Sequence, residues 1–329
     1  MTKTLTITIP SYNAASYLQE TIPTMAEIEL AQELEILIVN DGSKDNTLAV
    51  AQELSQQYSG VVKVIDKENG GHGSTINAGI QQATGRYFKV VDADDWVKTA
   101  NLNELVSFLD KLEVDQVISP YDEVYEDGPI VPIQYQGVDD QGQYTRDELY
   151  RRIGQIPEMH AICYRTSLLK EHQIRIDENR FYVDLEYIMF PIPFIESVAY
   201  FDRPIYQYRK GTSTQSVNIN SYIKNRQMHR DVSLALMDFY GRHQAELSQV
   251  AKEVIQRRIQ EVVAIQKGIF LAMPDSRQSQ QEYRDYEAEL QSKHPYFYQH
   301  IVGKKYQLIR HSHYLLYPVI SAWAKHQHA

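Results

Sequence analysis

Asp92-Ala93-Asp94-Asp95 follows directly on the apolar run Phe88-Lys89-Val90-Val91. Side chains two apart in extended backbone leave on the same side, so Asp92 and Asp94 would share one face. Two carboxylates so placed suit one hard divalent cation, Mg2+ or Mn2+, of the kind that bridges the two phosphates of a nucleotide diphosphate. The plainer alternative is an acidic turn leading into the helix after Asp95. A further carboxylate, Asp41, stands in Asn40-Asp41-Gly42-Ser43 after the run 34–39. There it serves either as a turn and helix entry, or as the acceptor for the imide hydrogen of uracil with Tyr12 stacked on the base. Gly70-Gly71-His72-Gly73 would let backbone approach a phosphate. It is not a dinucleotide fingerprint, because Ile76 stands where the third glycine belongs, and this argues against a nicotinamide enzyme.

Bringing these residues together requires an open parallel sheet, in which ligands sit beyond the carboxyl ends of the strands. The first half of the chain supplies the pattern, alternating apolar runs with helical spacing. Strands are predicted over 5–9, 34–39, 61–65 and 87–91, and helices over 14–26 (with Asn13 as its cap), 47–57, 74–83 and 101–112. The four strand ends then carry Pro10-Ser11-Tyr12-Asn13, Asn40 to Ser43, Asp66 with Asn69-Gly70-Gly71, and Asp92 to Asp95. Beyond 116 the pattern becomes mixed, with short strands over 116–119, 130–135 and 161–164 and a longer one over 198–208. From 220 onward three long helical patterns follow, over 221–243, 246–273 and 277–300. In the middle one Val250, Val254, Ile255, Ile259, Val262, Ile265 and Ile269 recur at helical spacing, which reads as a packing stripe. A domain boundary is expected near 218.

The 329 residues carry 33 Lys and Arg against 43 Asp and Glu, a formal charge of −10 that argues against nucleic acid as a partner. The single cysteine, Cys163, excludes an internal disulfide and a cysteine zinc cage and points to a reducing compartment, with Cys163 itself a buried strand residue. The N-terminus reads as a strand rather than a signal peptide, and the apolar run 314–324 is too short to span a bilayer. A cytoplasmic protein, either soluble or peripheral on the inner face of the membrane, is the expectation. Charge is uneven: after Glu289 there are five Lys or Arg, six His and no acid. This basic segment around Tyr314, Leu315, Leu316, Tyr317 and Trp323 suits either contact with a membrane surface or a helix docked on the body. Twenty-four Tyr suit carbohydrate and interface surfaces.

Ile9-Pro10-Ser11-Tyr12-Asn13, then Val39-Asn40-Asp41-Gly42-Ser43-x-Asp45-x-Thr47, then Asn69-Gly70-Gly71 with Asn77-x-Gly79, then Asp92-Ala93-Asp94-Asp95, resemble in order and spacing the inverting family 2 glycosyltransferases. The resemblance covers about 4–215. It implies an α/β fold of the GT-A type, a mostly parallel, Rossmann-like sheet flanked by helices, with an α-helical C-terminal region over 219–329. Residues 1–98 would form the nucleotide-sugar half and 99–218 the acceptor half. It also implies transfer of one hexose or N-acetylhexosamine from a UDP-sugar to an acceptor hydroxyl, with Mn2+ or Mg2+ as cofactor. Pro10, Tyr12, Asn13 and Asp41 would then lie at the base, and Asn69, Gly70, Gly71, His72 and Asn77 near the uridine or donor sugar. Asp92 and Ala93 would border the ribose or sugar, and Asp94, with Asp92, would hold the metal.

The family's general base is an acid at a helix start in the second half, and Asp184 in Phe181-Tyr182-Val183-Asp184-Leu185-Glu186 fits that place, although Val183 replaces the acid usual before it. Glu186 is its rival, and the two cannot share one helix face. In Tyr206-x-Tyr208-Arg209-x-Gly211-x-Ser213, which resembles the family's flexible segment, Arg209 would approach the diphosphate or simply be exposed. His72 is the histidine best placed for function, whereas His160 reads as structural. Processive synthases carry a Gln-x-x-Arg-Trp signature that is missing here, so one sugar per encounter is expected. The acceptor would be a glycan, lipid-linked or protein-linked hydroxyl in surface polysaccharide, wall polymer or glycoprotein synthesis, and homodimerisation is a further expectation. Weighed against this are an inactive binding or assembly subunit of the same fold and a sugar nucleotidyltransferase.

Overall fold

The computed structural model describes residues 3–126, 128–211 and 218–327. The chain divides into two compact units, Met1–Ser213 and Thr214–Ala329. In the first unit the chain runs β1 (Leu5–Ser11), α1 (Ala15–Ala26), β2 (Leu34–Asp41), α2 (Thr47–Gln57), β3 (Val62–Lys67), α3 (His72–Gln82), β4 (Tyr87–Val90), β5 (Trp96–Val97) and α4 (Thr99–Leu109). It continues through β6 (Gln116–Ile118), β7 (Tyr121–Tyr125), β8 (Ile130–Ile133), β9 (Gln143–Thr145), α5 (Arg146–Ile153), β10 (Ile162–Arg165), α6 (Thr166–Glu171), α7 (Asp184–Met189), β11 (Ser197–Tyr200) and β12 (Tyr206–Lys210). The main sheet has the order β3-β2-β1-β4-β10-β6-β11-β9, with the first four strands parallel. A smaller sheet of order β5-β12-β7-β8 stands apart from it.

Every residue of β1 and β2 is buried, as a parallel strand covered on both faces requires. Ile7, Ile9, Ile36 and Ile38 are wholly excluded from water, each worth about 1.5–3 kcal/mol of transfer free energy. The register Pro10↔Val39 and Asn40↔Asp66 brings the ends of β1, β2 and β3 level, so their polar residues emerge along one edge.

Two expectations are corrected here. The stretch 198–208 is not one strand: β11 belongs to the main sheet and β12 to the small one, with Pro204, which has no N–H to give a ladder, at the crossing. Asn13 does not cap α1. It adopts a left-handed φ of 52° and joins two loops instead, its N–H donating to Ser43 Oγ (3.0 Å) and its Oδ1 accepting from the Lys44 N–H (2.8 Å).

The second unit is helical: α8 (Ile219–Lys224), α9 (Arg226–His243), α10 (Gln249–Ala272), α11 (Ser276–Lys293), α12 (Pro295–Gln299), α13 (Lys304–His311) and α14 (Tyr317–Gln327). The predicted helix over 277–300 breaks before Pro295, whose ring starts a new helix but cannot continue an old one. In α10, Val254, Ile255, Ile259, Val262 and Ile269 are buried, as their spacing predicts, but Ile265 is exposed. Inside this unit Lys267 and Glu287 form a buried ion pair that Arg310 joins at 2.9 Å. Among the described residues, no helix is long and apolar enough to cross a membrane.

Candidate active site

Asp41, at the end of β2, is buried, and its carboxylate gathers the glycine loop around it. Oδ1 accepts from Lys67 Nζ (2.7 Å), the Gly70 N–H (2.9 Å) and Ser74 Oγ (3.3 Å), and Oδ2 accepts from the Gly71 N–H (2.8 Å). A carboxylate offers about four acceptor sites, so the uracil-imide reading finds at most one left, on Oδ2. Asn69 is likewise engaged, donating to the Asp41 carbonyl at 2.8 Å. Pro10 is buried in β1, whereas Tyr12 presents an exposed ring just beyond it.

The glycines serve chain packing. Gly71 has a φ of 80°, which L side chains rarely adopt. At Gly73 a Cβ would overlap the Asp177 carbonyl oxygen. The loop 176–179 is thereby drawn against the glycine turn, with the Asn179 N–H donating to the Gly70 carbonyl. Asn77 completes the clasp: its Nδ2 donates to the Ile176 carbonyl (2.8 Å) and its Oδ1 accepts from the Ile176 N–H (2.9 Å). With Glu178 also accepting from Nδ2 at 3.2 Å, the Asn77 amide is engaged with this loop.

The acidic turn after β4 lies beside this clasp. His72 Nε2 meets Asp92 Oδ1 at 2.8 Å. Burial alone would lower the imidazole's proton affinity, but the Asp92 carboxylate outweighs it and His72 is raised. Asp92 moves the other way: burial raises it, and the charge and hydrogen bond of His72 more than offset this. Asp95 is buried, accepting from the Tyr206 hydroxyl (2.5 Å) and the Arg209 N–H (2.7 Å), and burial with Asp94 and Asp92 nearby pushes it well above the ordinary carboxylate range. Asp94 is half-buried and also raised, first by burial and then by Asp92.

His160 stacks on Tyr208 at 4.3 Å between ring centres and meets Tyr206 edge-on at 4.7 Å. Burial lowers it to about 4, so it is neutral at pH 7, and its Nδ1 is buried without a hydrogen-bond partner. One ligand atom each from Asp92, Asp95 and His160 lie within 4.8 Å of one another. A buried imidazole nitrogen without a partner, beside an Asp95 carboxyl whose proton affinity Asp92 raises, fits a divalent cation, which takes up a lone pair and offsets the repulsion. Sequence reasoning grouped Asp92 with Asp94 and passed over His160, which stands 68 residues further along with no local motif around it.

Arg209 does not reach out as a free cation. Its guanidinium lies over Trp96 (4.9 Å) and Tyr17 (5.6 Å), and its Nε donates to the Asp94 carbonyl (2.8 Å). It thus braces the acidic turn. Residues 206–210 are strand β12, not a flexible connection, and Ser213 lies outside the described residues.

Asp184 opens α7, half-exposed, and its charge acts on both His72 and Tyr208, as do those of Asp92 and Asp94. Glu186 is turned the other way. It is wholly buried, Oε2 accepts from the Asp177 N–H (2.7 Å), and Oε1 has no partner. Burial raises its carboxyl to about 7. Glu186, the other acid considered for the base, thus holds the clasped loop and presents no oxygen to solvent.

Residues 6–172 match the family model for "Glycosyl transferase family 2", half of the chain, and the chain belongs to that family of glycosyltransferases. An uncharacterised glycosyltransferase of Rickettsia prowazekii (strain Madrid E) is 37% identical over 114 residues, covering 35% of this chain and 34% of its own. The uncharacterised glycosyltransferase EpsJ of Bacillus subtilis (strain 168) is 27% identical over 218 residues, 64% of this chain and 62% of its own. The matches thus span from about a third to under two thirds of these relatives' lengths. Among solved structures, S. aureus TarS 1–349 in complex with UDP superposes with a TM-score of 0.67 at 18% identity, covering 98% of this chain and 89% of that one. TarS 1–349 with UDP-GlcNAc gives 0.55 at 18% identity, over 88% and 92%. These likenesses show the GT-A fold.

Proposed function

We propose that the protein moves a single hexose or N-acetylhexosamine from a UDP-sugar to an acceptor hydroxyl, with inversion, in the synthesis of a wall polymer or other surface glycan. The observation that carries the reading is the convergence of Asp184 and the Asp92–Asp95 turn on His72 and Tyr208. Support for the donor comes from the fold shared with TarS, whose structures hold UDP and UDP-GlcNAc. Support for the polymer comes from the minor teichoic acid biosynthesis protein GgaB of B. subtilis (strain 168), 32% identical over 117 residues, 35% of this chain and 13% of its own.

Asp184 would take the proton of the acceptor hydroxyl as its oxygen bonds to the anomeric carbon and the bond to UDP breaks. Tyr12 would stack on the base, and the backbone of Gly70 and Gly71, fixed by Asp41, would border the nucleotide. Asp92, His160 and Asp95, with Asp94 adjoining, would hold a Mn2+ or Mg2+ ion, which would supply positive charge to the departing diphosphate. With a donor of this kind the protein would work in the cytoplasm.

The test is UDP release from a panel of UDP-sugars with and without Mn2+, with the product's anomeric configuration read by NMR. Asp184→Asn is expected to lower transfer by roughly 10²–10⁴-fold while UDP binding persists. Transfer that survives the substitution, or no binding of any UDP-sugar, would refute the assignment.

A further inference from the structure

The second unit ends its described residues on an amphipathic face that the transfer reading does not use. One side of α14 is pinned down. The Tyr317 hydroxyl pairs with Ser279 Oγ (2.6 Å), Ser321 Oγ donates to the Leu271 carbonyl (2.8 Å), and Lys325 Nζ donates to the Pro274 carbonyl (3.2 Å). Tyr317, Ser321 and Ala324 are accordingly buried. The opposite side of the same helix, with the turn before it, carries Leu315, Leu316, Val319, Ala322 and Trp323 at the spacing of one helical face. Leu315 is 81% exposed, Val319 66% and Trp323 54%. On α13, Leu308 is 52% exposed between the exposed Lys304 and His311.

The orientation is set by the anchored side and cannot be reversed without burying the apolar face at the cost of those hydrogen bonds. Large apolar side chains exposed together mark a surface meant to be covered. The charge around them says by what. From residue 290 to the end there is no Asp or Glu; Arg310 and Lys293 are paired with Glu287 and Glu289, while Lys304, Lys305 and Lys325 remain, with His311, His313 and His326 beside the apolar residues. A second copy of this face would bring like charges together, whereas an anionic surface receives both the cations and the apolar side chains. Leucine and valine flanked by lysine, with a tryptophan at the edge, is the composition of a helix lying in a lipid interface.

We propose that the outer face of α13 and α14, centred on Leu315, Val319 and Trp323, docks on an anionic lipid surface. The inference is independent of which sugar is moved or which acid is the base. The lysines supply the long-range attraction to such a surface, and the apolar face supplies the part that salt does not screen.

The test uses the full chain with vesicles of phosphatidylglycerol and phosphatidylcholine, against vesicles of phosphatidylcholine alone. The protein is expected to float with the anionic vesicles, to bind them roughly tenfold or more tightly than the neutral ones, and to shift its tryptophan emission to the blue on binding. Trp323→Phe should abolish that shift, leaving Trp96 as a silent background. Leu315→Glu with Val319→Glu, both at exposed positions, should lower partitioning at least about tenfold with an unchanged circular dichroism spectrum. Three outcomes would overturn the proposal: no flotation with anionic vesicles, equal binding to neutral ones, or vesicle binding unaltered by the double substitution. Self-association in sedimentation velocity that the double substitution removes, without vesicle binding, would assign the face to a second copy instead.

Discussion

Glu186 is a carboxyl in the wrong place for an acid, wholly out of water with one oxygen unpartnered and the other held by the Asp177 N–H. Burial raises it from an ordinary value of 4.5 to about 7; Asp177 and Asp184 add to the rise, and Arg180 and the Asp177 N–H oppose it. The folded protein therefore holds this proton more tightly than the unfolded chain, so stability falls as pH rises from about 4.5 to about 7. At 1.36 kcal/mol per unit, the loss across that window comes to about 3 kcal/mol. Glu186→Gln keeps an oxygen for the Asp177 N–H but has no proton to lose. Comparing urea unfolding of the two proteins at about pH 5 and about pH 8 isolates the effect, because every other titrating group is common to both. The parent protein should lose about 3 kcal/mol more than the variant between those pH values. Parallel pH profiles would refute the reasoning and mean that water or a cation reaches Glu186. The variant should also hold loop 177–180 more firmly above neutral pH, slowing amide exchange there.

Two further outcomes follow from the same clasp and turn. Gly73→Ala forces a Cβ onto the Asp177 carbonyl oxygen, so either the glycine turn or the loop must shift; a loss of about 1–3 kcal/mol in urea unfolding is expected, and an unchanged midpoint would show that the approach is looser than described. Arg209→Lys removes the planar group that lies over Trp96 and Tyr17 and donates to the Asp94 carbonyl; a loss of about 1–2 kcal/mol with altered Trp96 emission is expected, and unperturbed emission would mean the brace is absent in solution.

What could be read from the sequence alone is what depends on neighbours along the chain. The alternation of apolar runs with helical spacing needs only local periodicity, and it gives the parallel strands up to 91 and the helices between them. The end of each strand follows from that, and so does the gathering of Tyr12, Asp41, the glycine run and Asp92 to Asp95 at one edge. The order of those motifs was enough to name the family. Tertiary structure decided what each residue does with its lone pairs and protons. Asn77 and Ile176 are 99 residues apart, and Asp92 and His160 are 68 apart; no local pattern announces either meeting. Asp184 and Glu186 are equivalent as letters, yet one stays partly open at the start of α7 and the other is sealed beneath loop 177–180, because α7 is buried nearly all round and only its first residue is left in reach of solvent. The same holds for the stripe on α14: its period is plain in the sequence, but which side lies against α10 and α11 was settled by the hydrogen bonds of Tyr317 and Ser321. Periodicity states that a helix has two faces, and only packing says which one is left to solvent.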